Sequence, residues 1–224
     1  MNPTTFTLAP TVGVANGIAL SQTAAGAGNV TLNGSLVSGG VATFDVARPV
    51  AITSTSDLSL LTFTIIGTSR YGYSLTVTKT GPNNTTVYTS QDFLTVTSIT
   101  ISGSTSGNSF TIGTNDVVAT QWYVGDFKTG KPLMGVIKVT GTLNYTVQFT
   151  QKDLNDQTLT VAQQIARLQN PDVFPSSDIT VVNATTSQAT TFIFPPPGAR
   201  VLLNSFSSGA SIDVTFLSPH NATA

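Results

Sequence analysis

The chain has 224 residues, a formal net charge of −1 and only 8% charged residues, against roughly a quarter in an ordinary soluble domain. It offers no basic stripe for phosphates, no apolar run approaching the ~18 residues that span a bilayer, and no cysteine. Direct nucleic-acid binding and membrane insertion are therefore not expected, and disulfides, thiolate metal sites and thiol catalysis are excluded.

Hydrophobic residues make up 40% of the chain, enough to build a core. Glu is absent, so all ten acidic residues are Asp, and Thr, Ser, Asn and Gly carry the surface polarity. Thr, branched at Cβ, suits a pleated strand, whereas the usual helix-surface residues Glu and Lys are missing or scarce. Composition alone predicts an all-β protein.

The N-terminus, MNPTTFTLAP, has neither a basic nor a continuous apolar stretch, so no signal peptide is expected and the chain reads as made in the cytoplasm. Residues 1–40 are rich in Gly and Ala and light in aromatics. They read as an extended N-terminal arm without its own core, with short strand candidates at 18–20 and 30–32 around the stretch TAAGAGN. Residues 41–115 form the first predicted β-sandwich-like domain. Short alternating segments such as VATFDVA, PVAITS, YSLTVTKTG and LTVTSITISG are separated by Gly, Pro, Asn and Asp turns. LLTFTII is more continuous and predicts a strand covered on both faces. Residues 116–224 form the second predicted sandwich of short antiparallel strands, and the boundary falls near 114–120. Within it Leu143, Tyr145, Val147 and Phe149 alternate with Asn144, Thr146 and Gln148. The period then changes: Leu159, Ala162, Ile165, Ala166 and Leu168 fit one face of a short helix near 159–169, which Pro171 stops. Pro195, Pro196 and Pro197 form a stiff, extended corner before the last strands.

A search for reactive groups finds no catalytic, cofactor-binding or metal-binding residue set. The single His220 sits in the tail SPHNATA with no nucleophile motif beside it, which reads as a solvated residue. One His and no Cys leave no basis for a transition-metal site. Asp153 and Asp156, in KDLNDQ, are the closest carboxylate pair. They read as turn and helix-start polarity, with weak calcium binding as the competing interpretation. GTSRYGYS lacks the ending of a phosphate loop and reads as a hairpin turn with Arg70 exposed. Lys128 and Lys131 flank another turn. Asn-X-Ser/Thr sequences such as those at Asn83 and Asn144 are what an Asn- and Thr-rich chain produces by chance. Trp122 and Tyr123 invite a carbohydrate-binding reading, but on an alternating strand one of the two rings points into the core. The chain reads as non-enzymatic.

The stretch from Arg48 to Gly113 resembles a recurrent module of tailed-bacteriophage structural proteins. The residues that carry the resemblance are RPVAITSTSDLSLLTFTIIGTSRYGYSLTVTKTGPN and FLTVTSITISGSTSGNSFTIG. GTLNYTVQFTQKDLND is similar to the downstream part of such proteins, although the helical LTVAQQIARLQNP that follows departs from the pattern. The resemblance implies a virion location and a head-associated role, with a capsid decoration (cement) protein foremost. Implied partners are the major capsid protein or other virion proteins, and the chain itself as a homo-oligomer, with a trimer as one option. The alternatives are a head–tail adaptor, a tail or head-fibre protein, and a carbohydrate-binding host-attachment module.

Overall fold

The computed structural model describes residues 2–125, 127 and 131–218. Strands make up 52% of the structure and helix 6%, in several antiparallel sheets, so the fold is all-β. The chain divides into two compact units, but not into consecutive halves: residues 12–116 form one, and residues 1–11 together with 117–224 form the other. The first is called here the inserted unit and the second the split unit.

The split unit begins with β1 (Asn2–Leu8) and resumes with β12 (Val118–Ala119), β13 (Tyr123–Val124), β14 (Leu133–Thr140) and β15 (Leu143–Thr150). A helix, α1 (Val161–Gln169), precedes β16 (Phe174–Pro175), β17 (Gln188–Phe192), β18 (Gly198–Phe206) and β19 (Ser211–Ser218). One sheet has the order β1-β19-β14-β17, the other β12-β18-β15-β16 with β13 also on β18. Inward residues of the first sheet, Leu133, Ile137, Ile212, Val214 and Phe216, are buried, as are Tyr145, Val147, Val201 and Leu203 of the second. The Tyr123 and Phe216 rings join the two sheets at 5.1 Å between centroids. Burying each large apolar side chain contributes about 1.5–3 kcal/mol relative to leaving it in water.

The inserted unit contains β2 (Ala19–Gln22), β3 (Gly28–Asn29), β4 (Val37–Ser38), β5 (Val41–Arg48), β6 (Val50–Asp57) and β7 (Thr62–Ser69). It continues through β8 (Ser74–Thr80), β9 (Asn83–Tyr88), β10 (Phe93–Ile101) and β11 (Phe110–Thr114). Its sheets run β4-β5-β10-β7-β8, with β3 on β10, and β2-β11-β6-β9. One apolar cluster lies between them, holding Phe44, Phe63, Ile65 and Ile99 from one sheet and Ile52, Phe110 and Ile112 from the other. The Phe63 and Phe110 rings meet edge to face at 5.3 Å. Gly67 is required on β7: a Cβ there would lie 1.9 Å from the Thr95 carbonyl oxygen, where the β7–β10 register is irregular.

The Thr-rich composition has a structural use. Opposed threonines pair their hydroxyls across strands: Thr53 with Thr86 at 2.8 Å, Thr68 with Thr95 at 2.7 Å and Thr5 with Thr215 at 2.9 Å. These contacts supply lateral hydrogen bonds without charge.

The structure corrects the reading of residues 1–40 as an arm. Ile18, Ala19 and Val30 are buried in the core of the inserted unit, and residues 2–8 pair with β19 along seven consecutive positions. Close backbone approach holds part of this segment in place: a Cβ on Gly34 would meet the Gly17 carbonyl at 2.2 Å. LLTFTII is likewise covered on one face only. Phe63 and Ile65 are buried, whereas Leu60, at the preceding turn, is 97% exposed and Ile66 faces outward.

Candidate interaction surface

Most charged groups that the sequence singles out are consumed by local structure. Asp153 Oδ1 accepts from the Asn155 amide at 2.9 Å, and Asp156 Oδ1 accepts from the Thr158 amide at 3.0 Å and its hydroxyl at 2.6 Å. These are turn-closing bonds. Arg167 in α1 then donates to the Asp153 carbonyl at 2.7 Å and to Asp156 Oδ2 at 3.2 Å. Hydrogen bonds from Thr158, with a further contribution from Arg167, hold the Asp156 carboxyl below its ordinary pKa. A carboxylate already satisfied by hydroxyl, amide and guanidinium donors is poorly placed to serve a calcium ion, which needs six or more oxygens. Among the described residues, no three His, Cys, Asp or Glu side chains converge as metal ligands. His220 and Lys128 lie outside the described residues.

Arg70 departs from the exposed-turn expectation. Its guanidinium is largely buried and pairs with Asp92, so it fastens the β7–β8 turn to the start of β10. Trp122 is 7% exposed. It packs under Arg200, whose guanidinium carbon lies 4.6 Å from the ring centroid, and beside Gly198. Tyr123 is half-buried and turned toward Phe216. The exposed aromatic pair required by the carbohydrate-binding reading is therefore not formed, because Trp122 fills the sandwich beside β18.

The apolar surface lies elsewhere. At one end of the split unit, Phe149 of β15 pairs in register with Phe174 of β16, and their rings lie 5.7 Å apart. Phe192, the last residue of β17, meets Phe149 edge to face at 6.1 Å. The chain continues directly into Ile193 and Phe194, which are 73% and 87% exposed, and then into the three prolines. From Gln188 to Ala199 no residue is charged. Residues 151–173, which leave β15 at this end, carry ion pairs of their own, Arg167–Asp156 and Lys152–Asp172, the latter at 3.1 Å.

α1 belongs to this excursion. Thr160 caps it with a reciprocal Thr160–Gln163 box, yet none of its residues is buried. Ile165 and Leu168 are half-buried, and Ala162 and Ala166 of the expected apolar face are exposed. Its tethers are polar, through Arg167 and through Gln164 Nε2 to the Asp156 carbonyl at 3.0 Å.

The outer face of the β1-β19-β14-β17 sheet is uncharged over two rows, beyond which lie Asp213 and Lys138. Its cross-strand rows run Pro3, Leu217, Met134, Thr191 and then Thr5, Thr215, Val136, Ala189. Met134 and Val136 are both exposed. Sequence reading missed both surfaces. ATTFIF reads in the sequence as one more strand, and only the β14–β17 pairing, which ends at Leu133 and Phe192, shows that the next two residues leave the sheet.

No protein-family model and no curated protein sequence matches the chain.

Proposed function

We propose that this chain is a structural protein of a tailed-bacteriophage particle, acting as a capsid decoration (cement) protein that binds the outer shell and stabilises it. The observation that carries the proposal is the exposed pair Ile193 and Phe194, in the uncharged segment 188–199 that continues from the Phe149, Phe174 and Phe192 cluster at one end of the split unit. An exposed aromatic and aliphatic pair on a supported base, rimmed by polar groups, has the anatomy of a binding surface. The resemblance of residues 48–113 to phage structural modules supplies the setting. Low charge suits a protein that works in the assembled state, because little electrostatic repulsion opposes association.

The test is co-sedimentation with purified capsid shells of the virus that encodes the chain. The chain pellets with shells at saturable, symmetric occupancy, and Ile193→Asp with Phe194→Asp abolishes pelleting while leaving the fold intact. Ring formation by the purified chain without affinity for shells would instead assign it to the head–tail junction.

A further inference from the structure

We infer that β1 is an exchangeable strand: when copies of the chain are concentrated together, β1 of one copy completes the β19 edge of a second. This inference concerns self-association and is independent of shell binding.

β1 is an edge strand, and its ladder partner in that sheet is β19, at the other end of the sequence. The residues that follow β1 do not turn back into its own sheet; they pass into the inserted unit, and the chain returns only at residue 117. No short hairpin therefore holds β1 against β19. β1 is joined to the rest of its unit only through the inserted unit, whose first and last residues are themselves hydrogen-bonded, and a second copy at high local concentration offers the same edge.

The strand itself is easily released. Its inward apolar residues are Phe6, half-buried and 6.4 Å from the Phe216 ring, and Leu8, which is buried. Its other pairings are backbone ladder bonds and hydroxyl contacts, Thr5 to Thr215 and Thr7 to Asp213 at 2.7 Å. A second copy reproduces every one of these contacts, so exchange sacrifices no native interaction.

A defined hinge is also present. Residues 9–12 have no regular structure, and Pro10 favours an extended Ala9. Immediately beyond them the chain is anchored to the inserted unit: the Gly13 amide donates to Asp116 Oδ1 at 2.6 Å and the Val14 amide to Thr114 Oγ1 at 3.0 Å. Exchange requires residues 9–12, of which Pro10 is buried, to change course while the bonds at Gly13 and Val14 are kept.

Because the chain has no cysteine, Thr5→Cys with Thr215→Cys gives a clean covalent reporter at directly opposed positions. The double variant is unfolded, refolded at low and at high protein concentration, oxidised, and run on denaturing gels without reductant. Exchange predicts internally linked monomer at low concentration and at least a tenfold rise in covalently linked dimers and larger species at high concentration. Each single-cysteine variant measures chance cross-linking. Internally linked monomer alone at every concentration, or dimers no more abundant than in the single variants, would overturn the inference. A second readout avoids the cysteines: a chain lacking residues 1–8 should capture a labelled peptide of residues 1–10. Failure of that capture, with the truncated chain folded, would also count against exchange.

Discussion

The Gly13 amide donates to Asp116 Oδ1 at 2.6 Å, fastening the first residues of the inserted unit to its last. The approach is close enough that a Cβ on Gly13 would fall 2.6 Å from the Asn115 carbonyl carbon. Gly13→Ala is therefore expected to destabilise the inserted unit by about 1–3 kcal/mol, as overpacking against backbone does. Asp116→Ala removes one hydrogen bond and should cost about 1 kcal/mol. Thermal unfolding followed by hydrogen exchange, resolved by residue, checks that the loss falls on residues 12–116 and not on β14 to β19.

Arg48 is almost wholly buried, pairs with Asp45 three residues earlier and donates to the Asn115 carbonyl at 3.2 Å. The two partners differ in exposure: the Asp45 side chain is one-third open to solvent. Asp45→Ala leaves a buried guanidinium without its carboxylate and should cost about 3 kcal/mol or more. Arg48→Met removes the buried charge and leaves a carboxylate that water can reach, so it should cost less. Denaturant melts of both variants test this order.

Trp122 is the only tryptophan, and it is buried in the split unit beside Gly198 and Arg200. Its fluorescence should follow the unfolding of that unit alone and stay blind to variants such as Gly13→Ala. Trp122→Ala should destabilise the split unit by about 3–5 kcal/mol, the usual consequence of emptying a large aromatic site. A glycan array probed with the folded wild-type chain should give no binding that depends on this ring.

Tyr145 and Asp178 contribute to opposite limbs of the pH profile of the split unit. Burial, reinforced by the negative charge of Asp178, pushes the Tyr145 phenol up to about 12. Its hydroxyl donates to the Thr186 carbonyl at 3.0 Å, a bond that the phenolate cannot make. The folded pKa is raised, so this contribution is complete below the ordinary value near ~10 and is lost as pH rises through about 12. Tyr145→Phe should reduce the loss of stability on the alkaline side and remove one phenolate absorbance that grows in near about 12.

Asp178 has the opposite sign. Hydrogen bonds, first from the Thr180 hydroxyl and then from Thr190, hold its carboxyl below the usual range against some burial. Its contribution is present above the unfolded value near ~3.9 and is lost as pH falls through the lowered folded pKa. Asp178→Asn should flatten the acid limb of the stability curve measured by Trp122 fluorescence.

Local pattern made the strands legible. Alternation in YSLTVTKT and LNYTVQFT places Leu75, Val77, Tyr145 and Val147 inward, as the structure has them, whereas Tyr73, on the same expected face as Leu75, is exposed. The helix was legible for the same reason: its period changes at Leu159 and Pro171 ends it, and the capping box at Thr160 explains its start. Long-range pairing was not legible. Nothing local to NPTTFTL says that it pairs with residues 212–218, because one polar-apolar alternation fits any open edge. The arm reading failed for that reason, and also because Gly13 and Gly34 sit against neighbouring backbone, a close approach that apolar periodicity does not register. Arg70 was misplaced because its partner Asp92 lies twenty-two residues away. The apolar end at Phe192 to Phe194 could not be told from a strand until its pairing was seen to stop.

Under the proposed function, the end formed by Phe149, Phe174, Phe192, Ile193 and Phe194 is the one that engages a capsid shell. A reconstruction of shells incubated with the chain tests this most directly. Ordered density for the chain at symmetric positions on the outer surface, with Ile193 and Phe194 against the shell, and its loss with Ile193→Asp and Phe194→Asp, is the predicted result. Shells bare of the chain at saturating concentration, or decoration that survives both substitutions, would contradict it.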